Sequence, residues 1–175
     1  MKKHFKIIGI VTLVMALLGA ATWGFAKILQ PKTAYVDLVM VYNQFKLKEE
    51  LDSKLQSIQM TRKSILDSME LQLNVLGQKL QMRQRDTAGQ VYYMQKREQL
   101  INHQQQFEQD NNTIAQHYQE QIWKQLNQYV RDFGKEYSYT YVFGGEGSGA
   151  VMYADDSHDV TGEVKEYINK HYKGN

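Results

Sequence analysis

Apolar residues recur at helical spacing along most of residues 43–136, a stretch that contains no proline and only three glycines, Gly77, Gly89 and Gly134. Polar residues fill the intervening positions. This pattern predicts two very long helices that fold back on each other at residues 85–89. We therefore expect residues 45–136 to form one antiparallel helical hairpin, a coiled-coil arm.

The first helix of this arm carries a regular apolar stripe. Its members follow one another every three or four residues, on average about every 3.67 residues, which is the spacing of a nearly straight helix pair. The stripe comprises Leu47, Leu51, Leu55, Ile58, Arg62, Ile65, Met69, Leu73, Leu76 and Leu80. Arg62 is its one charged member, so the predicted contact between the helices is not a uniform zipper.

The second helix is less regular along its length. Near its end the stripe is dense, with Ile114, Tyr118, Ile122, Leu126, Tyr129, Phe133 and Tyr137. Toward the turn it thins to Val91, Met94, Ile101 and Phe107, among many glutamines and asparagines. A helix this polar buries little surface, so we expect a well-packed base and a supple outer half.

The flanking residues, 30–44 and 137–175, predict a small β body. Residues 33–41 are rich in β-branched and aromatic side chains and predict a strand, with Asn43 as the cap of the following helix. Residues 138–144 and 150–154 predict two more strands, joined as a hairpin by a wide glycine-rich turn.

A short helix closes the chain in this prediction. Thr161 is the expected cap, and residues 162–172 form the helix. Val164, Ile168 and Tyr172 recur every four residues, which predicts one apolar face against the sheet. Three aspartates precede it (Asp155, Asp156 and Asp159), and they lack the spacing of a calcium loop, so we assign them to turns and caps.

Residues 1–29 predict export from the cytoplasm. Lys2, Lys3 and Lys6 precede residues 7–26, which carry no charge. This arrangement is typical of either a cleaved signal peptide or an uncleaved N-terminal membrane anchor, and the sequence leaves both open. The positive start places the rest of the chain on the far side of the membrane in both cases.

Composition excludes several classes of function. The chain has 175 residues, no cysteine and a formal charge of +2, which is too small to indicate nucleic-acid binding. Its five histidines are scattered without metal-ligand spacing. No acid–base pair or nucleophile constellation stands out, so we predict no catalytic, cofactor or metal site and no enzyme activity.

Both ends of the exported part resemble the Skp/OmpH family of periplasmic chaperones. Residues 34–43 (AYVDLVMVYN) are similar to the family's first strand and the start of its long helix. Residues 139–143 (YTYVF), the glycine loop, residues 151–155 (VMYAD) and residues 159–161 (DVT) resemble its closing segment. The long helical hairpin between them also fits, so the resemblance covers nearly everything after Lys32.

This resemblance implies an α+β fold assembled as a homotrimer, with three arms extending from a shared β body. It also implies a cavity between the arms that holds unfolded outer-membrane proteins in the periplasm without ATP. We expect the shared body to involve Tyr35, Leu38, Tyr141, Val142, Phe143, Val151 and Tyr153. Clients would touch sparse apolar side chains of the arms, for which the candidates are Met60, Met69, Met82, Met94 and Phe107.

Charge is unevenly distributed along the chain. Residues 45–85 carry eight Lys/Arg and five Asp/Glu, whereas residues 137–175 carry three and six. The arm tip is therefore predicted to be basic, through Lys79, Arg83, Arg85, Lys96 and Arg97. Such a tip is either simply solvated or meets an anionic membrane surface or an acidic client.

The sequence also allows one alternative function. A long coiled-coil arm also suits a structural or accessory subunit of an envelope secretion or export complex. A retained membrane anchor would favour this alternative, because a free carrier must cross the periplasm.

Overall fold

The computed structural model describes Met15 and residues 30–82, 86–145 and 151–174. The elements follow in the order β1 (Thr33–Asp37), α1 (Leu38–Asn43), α2 (Lys46–Met82), α3 (Thr87–Glu136), β2 (Tyr141–Gly145), a 3₁₀ turn (Asp156–His158) and α4 (Thr161–His171). The predicted α+β class, with a long helical hairpin and a small sheet, is confirmed.

Helices α2 and α3 form the arm. They contain 37 and 50 residues, about 55 and 75 Å at 1.5 Å per residue. The carboxylate of Asp86 caps α3 by accepting a hydrogen bond from the N–H of Gly89 at 2.8 Å. A Cβ at Gly89 would lie 2.7 Å from Asp86 Oδ2 and 2.8 Å from Leu80 Cδ2, so a larger residue there would displace the side chain that caps α3.

The core lies in the body and at the base of the arm. Its buried members are Ala34, Val36, Val41, Phe45, Leu47, Leu51, Ile122, Leu126, Phe133, Val160, Val164 and Ile168. Farther out, Leu73 and Leu100 are the only buried hydrophobic residues of the described part of the arm. The prediction of a well-packed base is confirmed, and packing declines steeply toward the tip.

The sheet differs from the prediction. β1 pairs in parallel with β2, with Ala34 opposite Val142 and Tyr35 opposite Phe143. The predicted antiparallel hairpin is wrong, because residues 151–154 form no strand. They lead instead to the free edge of β1, where Asp159 makes one parallel bridge to Tyr35.

The first strand is also shorter than predicted, and it ends at Asp37 rather than at residue 41. The side chain of Asp37 accepts a hydrogen bond from the N–H of Met40 at 2.8 Å and so starts α1. Asn43 is the last residue of α1, which makes the cap assignment wrong. The long helix α2 begins after a break at Gln44 and Phe45.

Helix α4 begins one residue before its predicted start. Thr161 is its first helical residue rather than its cap, and its hydroxyl donates to Asp159 Oδ1 at 2.5 Å. The predicted apolar face is confirmed in Val164 and Ile168, which are fully buried. Asp155 also has its predicted turn role, since its carboxylate accepts from the N–H of Ser157 at 2.9 Å.

The contact between the arm helices differs in detail from the predicted stripes. Ile65 is 44% exposed, and its neighbour Leu66 is half-buried instead. On α3, Met94 and Ile101 are exposed whereas Leu100 is buried. Adjacent apolar residues compete for the same contact, and the sequence pattern alone does not decide which one faces the partner helix.

The described residues contain no helix long and apolar enough to cross a membrane. Residues 1–29, apart from Met15, lie outside the described part of the chain. The signal-peptide-or-anchor prediction falls on them and remains a prediction. The predicted glycine-rich loop covers residues 144–149; Gly144 and Gly145 belong to β2 instead, and residues 146–149 lie outside the described residues.

Candidate functional site

Several surfaces of the described residues expose apolar side chains, and two of these surfaces bear on function. The first is the outer face of the sheet. Side chains alternate along the strands, so Ala34 and Val36 point into the core while Tyr35, Tyr141 and Phe143 point away from it. Tyr141 and Phe143 are 56% and 47% exposed, and their rings stack with centroids 5.9 Å apart.

The segment after the glycine turn adds to this surface. An open pocket of about 690 Å³ is lined by Tyr35, Phe143, Val151, Met152 and Tyr153, among others. Met152 and Tyr153 are 92% and 86% exposed. We call Tyr35, Tyr141, Phe143, Val151, Met152 and Tyr153 the body face. It unites five of the residues predicted for the trimer body.

The other two predicted body residues lie elsewhere. Val142 points inward, and its Cγ2 lies 3.7 Å from where a Cβ of Gly134 would stand. Leu38 packs over Gly144, so closely that a Cβ at Gly144 would collide with it. Both side chains therefore contribute to the chain's own core.

The second apolar surface runs along the arm. Met60, Leu71, Val75 and Met82 are 62%, 66%, 43% and 84% exposed. Their spacings of 11, 4 and 7 residues place them on one face of α2. This face points away from α3, because Leu73 is buried on the opposite side. We call these four residues the outer stripe.

The predicted client-contact residues separate into two groups. Met60, Met82 and Met94 are exposed, with Met94 on α3. Met69 and Phe107 are half-buried between the helices. Leu71 and Val75 are not among the predicted client-contact residues. Their spacing is visible in the sequence, since Leu71 follows Met60 by 11 residues and Val75 follows Leu71 by four.

Arg62 occupies the middle of the contact between the arm helices. Its guanidinium lies 5.2 Å from the ring centroid of Phe107 and 3.4 Å from the carboxylate of Asp110. It also donates to the side-chain oxygen of Asn111 and, at 3.4 Å, to the carbonyl of Phe107. One half-buried cation is thus held by four groups of α3.

The basic tip is only partly described. Lys79 and Arg97 are exposed, whereas Lys96 is half-buried and donates to Gln99 Oε1 at 3.1 Å. Arg83 and Arg85 lie outside the described residues. The basic-tip prediction is therefore untested as a whole and remains a prediction.

An aromatic cluster joins the end of α3 to α4 in the body. The Phe133 ring lies 4.6 Å from that of Tyr137, 5.8 Å from that of Tyr139 and 5.5 Å from that of Tyr167. Burial raises the pKa of the Tyr167 phenol to about 12, and a hydrogen bond to the carboxylate of Glu136 acts in the same direction. This tyrosine therefore stays neutral over the physiological range.

Residues 32–168 match the family described as outer membrane protein (OmpH-like). The chain belongs to the OmpH-like family. The match begins just before β1 and ends within α4, so it includes the whole arm and nearly all of the body. No curated protein matches the chain.

A solved structure resembles the OmpH-like chain in fold. It is a protein from Caulobacter crescentus, described as an outer membrane chaperone (OmpH-like), with 15% sequence identity and a TM-score of 0.63. The similarity covers 83% of this chain and 88% of the other. At this identity the likeness establishes the fold, and family membership supports a chaperone role.

Proposed function

We propose that this OmpH-like protein is an ATP-independent holdase of the periplasm that binds unfolded outer-membrane proteins between the arms of a homotrimer. The observation that carries the proposal is the outer stripe on an arm that is tightly packed only at its base. Exposed apolar side chains on a long surface suit transient contact with unfolded chains. Family membership supports the chaperone role and a function without catalysis.

The body face supports assembly into a trimer. The inner face of the two-stranded sheet packs on the chain's own core, whereas its outer face is apolar and exposed to solvent, which is typical of an interface with another chain. Tyr35, Tyr141 and Phe143 lie on that face, beside the exposed Tyr153. Contact with the body faces of two further copies would bury these aromatic side chains.

The outer stripe is too sparse for a permanent helical partner. It offers four apolar side chains over 23 residues, whereas a stably packed helix offers three to four in every two turns. The stripe spans about 33 Å, roughly the length of ten residues of extended chain, or one transmembrane β-strand. Methionine at both ends adapts to varied partners, which suits many clients.

The basic tip extends the proposal. Lys79 and Arg97 are exposed there and face few acidic neighbours in sequence. We infer that the tip contacts an anionic membrane surface or an acidic client segment, because like charges gathered at one end of an arm attract anionic surfaces. Raising the salt concentration should weaken such contacts.

An aggregation assay tests the holdase. An unfolded β-barrel protein is diluted from urea without ATP, at about one trimer per client, and light scattering is followed. We expect suppression of aggregation by the wild-type protein and substantial loss of it in Leu71→Ser/Met82→Ser. Gln72→Ser/Gln81→Ser is the matched control, since Gln72 and Gln81 are also exposed on the same helix but lie off the stripe.

Two results would count against the proposal. Absence of suppression by the wild-type protein would remove the holdase role and favour a structural subunit of an envelope secretion or export complex. Equal loss of aggregation suppression in the stripe variant and its control would show that the outer stripe is not part of the surface that binds clients. Co-purification from the native host separates the two functions, because a holdase brings down many unfolded proteins and a subunit brings down one stoichiometric complex.

A further inference from the structure

The two helices of the arm are joined to the body in different ways. α3 runs without a break from the arm into the core, where Phe133 is buried. α2 is separated from α1 by a two-residue joint, Gln44 and Phe45. The joint leaves the C=O of Gln44 and the N–H of Lys46 without partners in the helices beside them.

The side chain of Asn169 on α4 satisfies both groups. Its Oδ1 accepts a hydrogen bond from the N–H of Lys46 at 2.9 Å, and its Nδ2 donates to the C=O of Gln44 at 2.9 Å. The Nζ of Lys46 also lies 3.4 Å from the backbone oxygen of Asn169. An amide side chain suits this position because it carries a donor and an acceptor together.

Residues at the end of α4 make further contacts at and near the same joint. The hydroxyl of Tyr172 donates to Glu50 Oε2 on α2 at 2.5 Å. The ring of Phe45, which is buried, meets Tyr172 edge-on with centroids 5.6 Å apart. The Tyr129 hydroxyl on α3 donates to the backbone oxygen of His171 at 3.3 Å. The start of α2 is thus held by α4 while α4 also contacts α3.

We propose that Asn169 is a positioning residue that fixes where α2 lies along α3. Apolar contacts between the helices are non-directional and resist sliding weakly, whereas two hydrogen bonds to the joint are directional. Bending a pair of helices requires one to slide along the other, because only four residues of sequence separate the end of α2 at Met82 from the start of α3 at Thr87. Fixing α2 at the base therefore stiffens the arm. This inference goes beyond the proposed function and does not depend on what the arms hold.

Pulsed electron paramagnetic resonance tests the sliding directly. The chain has no cysteine, so Gln59→Cys on α2 and Gln119→Cys on α3 introduce two unique labels at exposed positions of the full chain. Labelled chains are diluted into unlabelled ones so that the distance within one chain is measured. We expect Asn169→Ala to broaden the distance distribution about twofold, since the joint opens locally.

Amide hydrogen exchange at Lys46 gives a second readout. A general loosening of the fold would accelerate exchange at many residues and not selectively at Lys46. Asn169→Ala removes the acceptor, so exchange at Lys46 should accelerate about tenfold. Asn169→Asp keeps an acceptor but loses the donor to Gln44, so we expect slow exchange at Lys46 with an intermediate distance distribution. Lys170→Ala, at an exposed neighbouring residue, is the control and should change neither measurement.

An unchanged distance distribution in Asn169→Ala would overturn the proposal, as would equal broadening in Lys170→Ala. If Asn169→Ala does not fold, Asn169→Asp decides: a broadened distribution supports the role and an unchanged one overturns it. Neither outcome bears on the holdase assay, so failure of one proposal is distinguishable from failure of the other.

Discussion

The guanidinium of Arg62 lies 5.2 Å from the ring centroid of Phe107, across the contact between the two arm helices. Among the described residues, the pair Arg62–Asp110 is the only salt bridge that joins two helices. The other two connect residues four apart within α2. In the middle of the arm, the charged Arg62 therefore links α2 to α3, at a position where the other members of the predicted stripe of α2 are apolar.

Replacing this cation should separate the effect of charge from that of packing. Arg62→Ala should lower the free energy of unfolding by about 1 kcal/mol, because the packing on Phe107 and the hydrogen bonds are lost together. Arg62→Leu should recover most of that loss, since it makes the apolar contact continuous. Urea denaturation followed by circular dichroism measures both, with the exposed Lys63→Ala as control. A Leu variant as unstable as the Ala variant would show that the polar contacts dominate.

Thr161 ties the end of β1 to the start of α4. Its hydroxyl accepts from the N–H of Asp37 at 2.9 Å and donates to Asp159, and the residue is only 5% exposed. Thr161→Val leaves the part-buried N–H of Asp37 without this partner and should cost about 1–3 kcal/mol of stability. Thr161→Ser keeps both hydrogen bonds and should cost less. Chemical denaturation compares the two variants, and a loss in Thr161→Ser as large as that in Thr161→Val would show that the hydrogen bonds contribute no more to stability than the methyl group.

The two faces of the sheet should respond differently to a charge. Val142→Asp places a carboxylate in the chain's own core and should unfold the body, at a cost of several kcal/mol. Phe143→Asp lies on the exposed body face and should leave each chain folded while weakening the proposed trimer. Circular dichroism reports folding, and light scattering reports mass. A trimeric Phe143→Asp variant would show that copies meet at another surface.

The Tyr167 phenol gives the protein a predicted dependence on alkaline pH. Its pKa is raised to about 12 by burial first and by the hydrogen bond to Glu136 second. In the unfolded chain the Tyr167 phenol ionises near pH 10. Its contribution to stability is therefore complete below pH 10 and is lost as the pH rises toward 12. Thermal melting between pH 9 and 12 should therefore show a smaller decline for Tyr167→Phe. An identical decline in both proteins would place the dependence on other groups.

The sequence by itself predicted the arm, because helical periodicity is a local property that many consecutive residues repeat. Dense apolar spacing around Ile122 and Leu126 likewise predicted a packed base, and both residues are buried. Where two adjacent residues are both apolar, the sequence pattern does not show which of them faces the partner helix. Leu66 rather than Ile65 lies in the contact, and only the position of α3 decides between them.

Tertiary structure alone decided the body. Local alternation predicted that residues 150–154 pair with the preceding strand, yet β2 pairs with β1, more than one hundred residues earlier in the chain. The same holds for the hydrogen bonds of Thr161 to Asp37 and of Asn169 to Lys46, which join residues 124 and 123 apart. Such partners leave no periodic signal in the sequence. The fold brings these partners together because α3 runs back along α2 and ends near the start of the arm. Backbone groups at the ends of β1 and α1 need hydrogen-bond partners there.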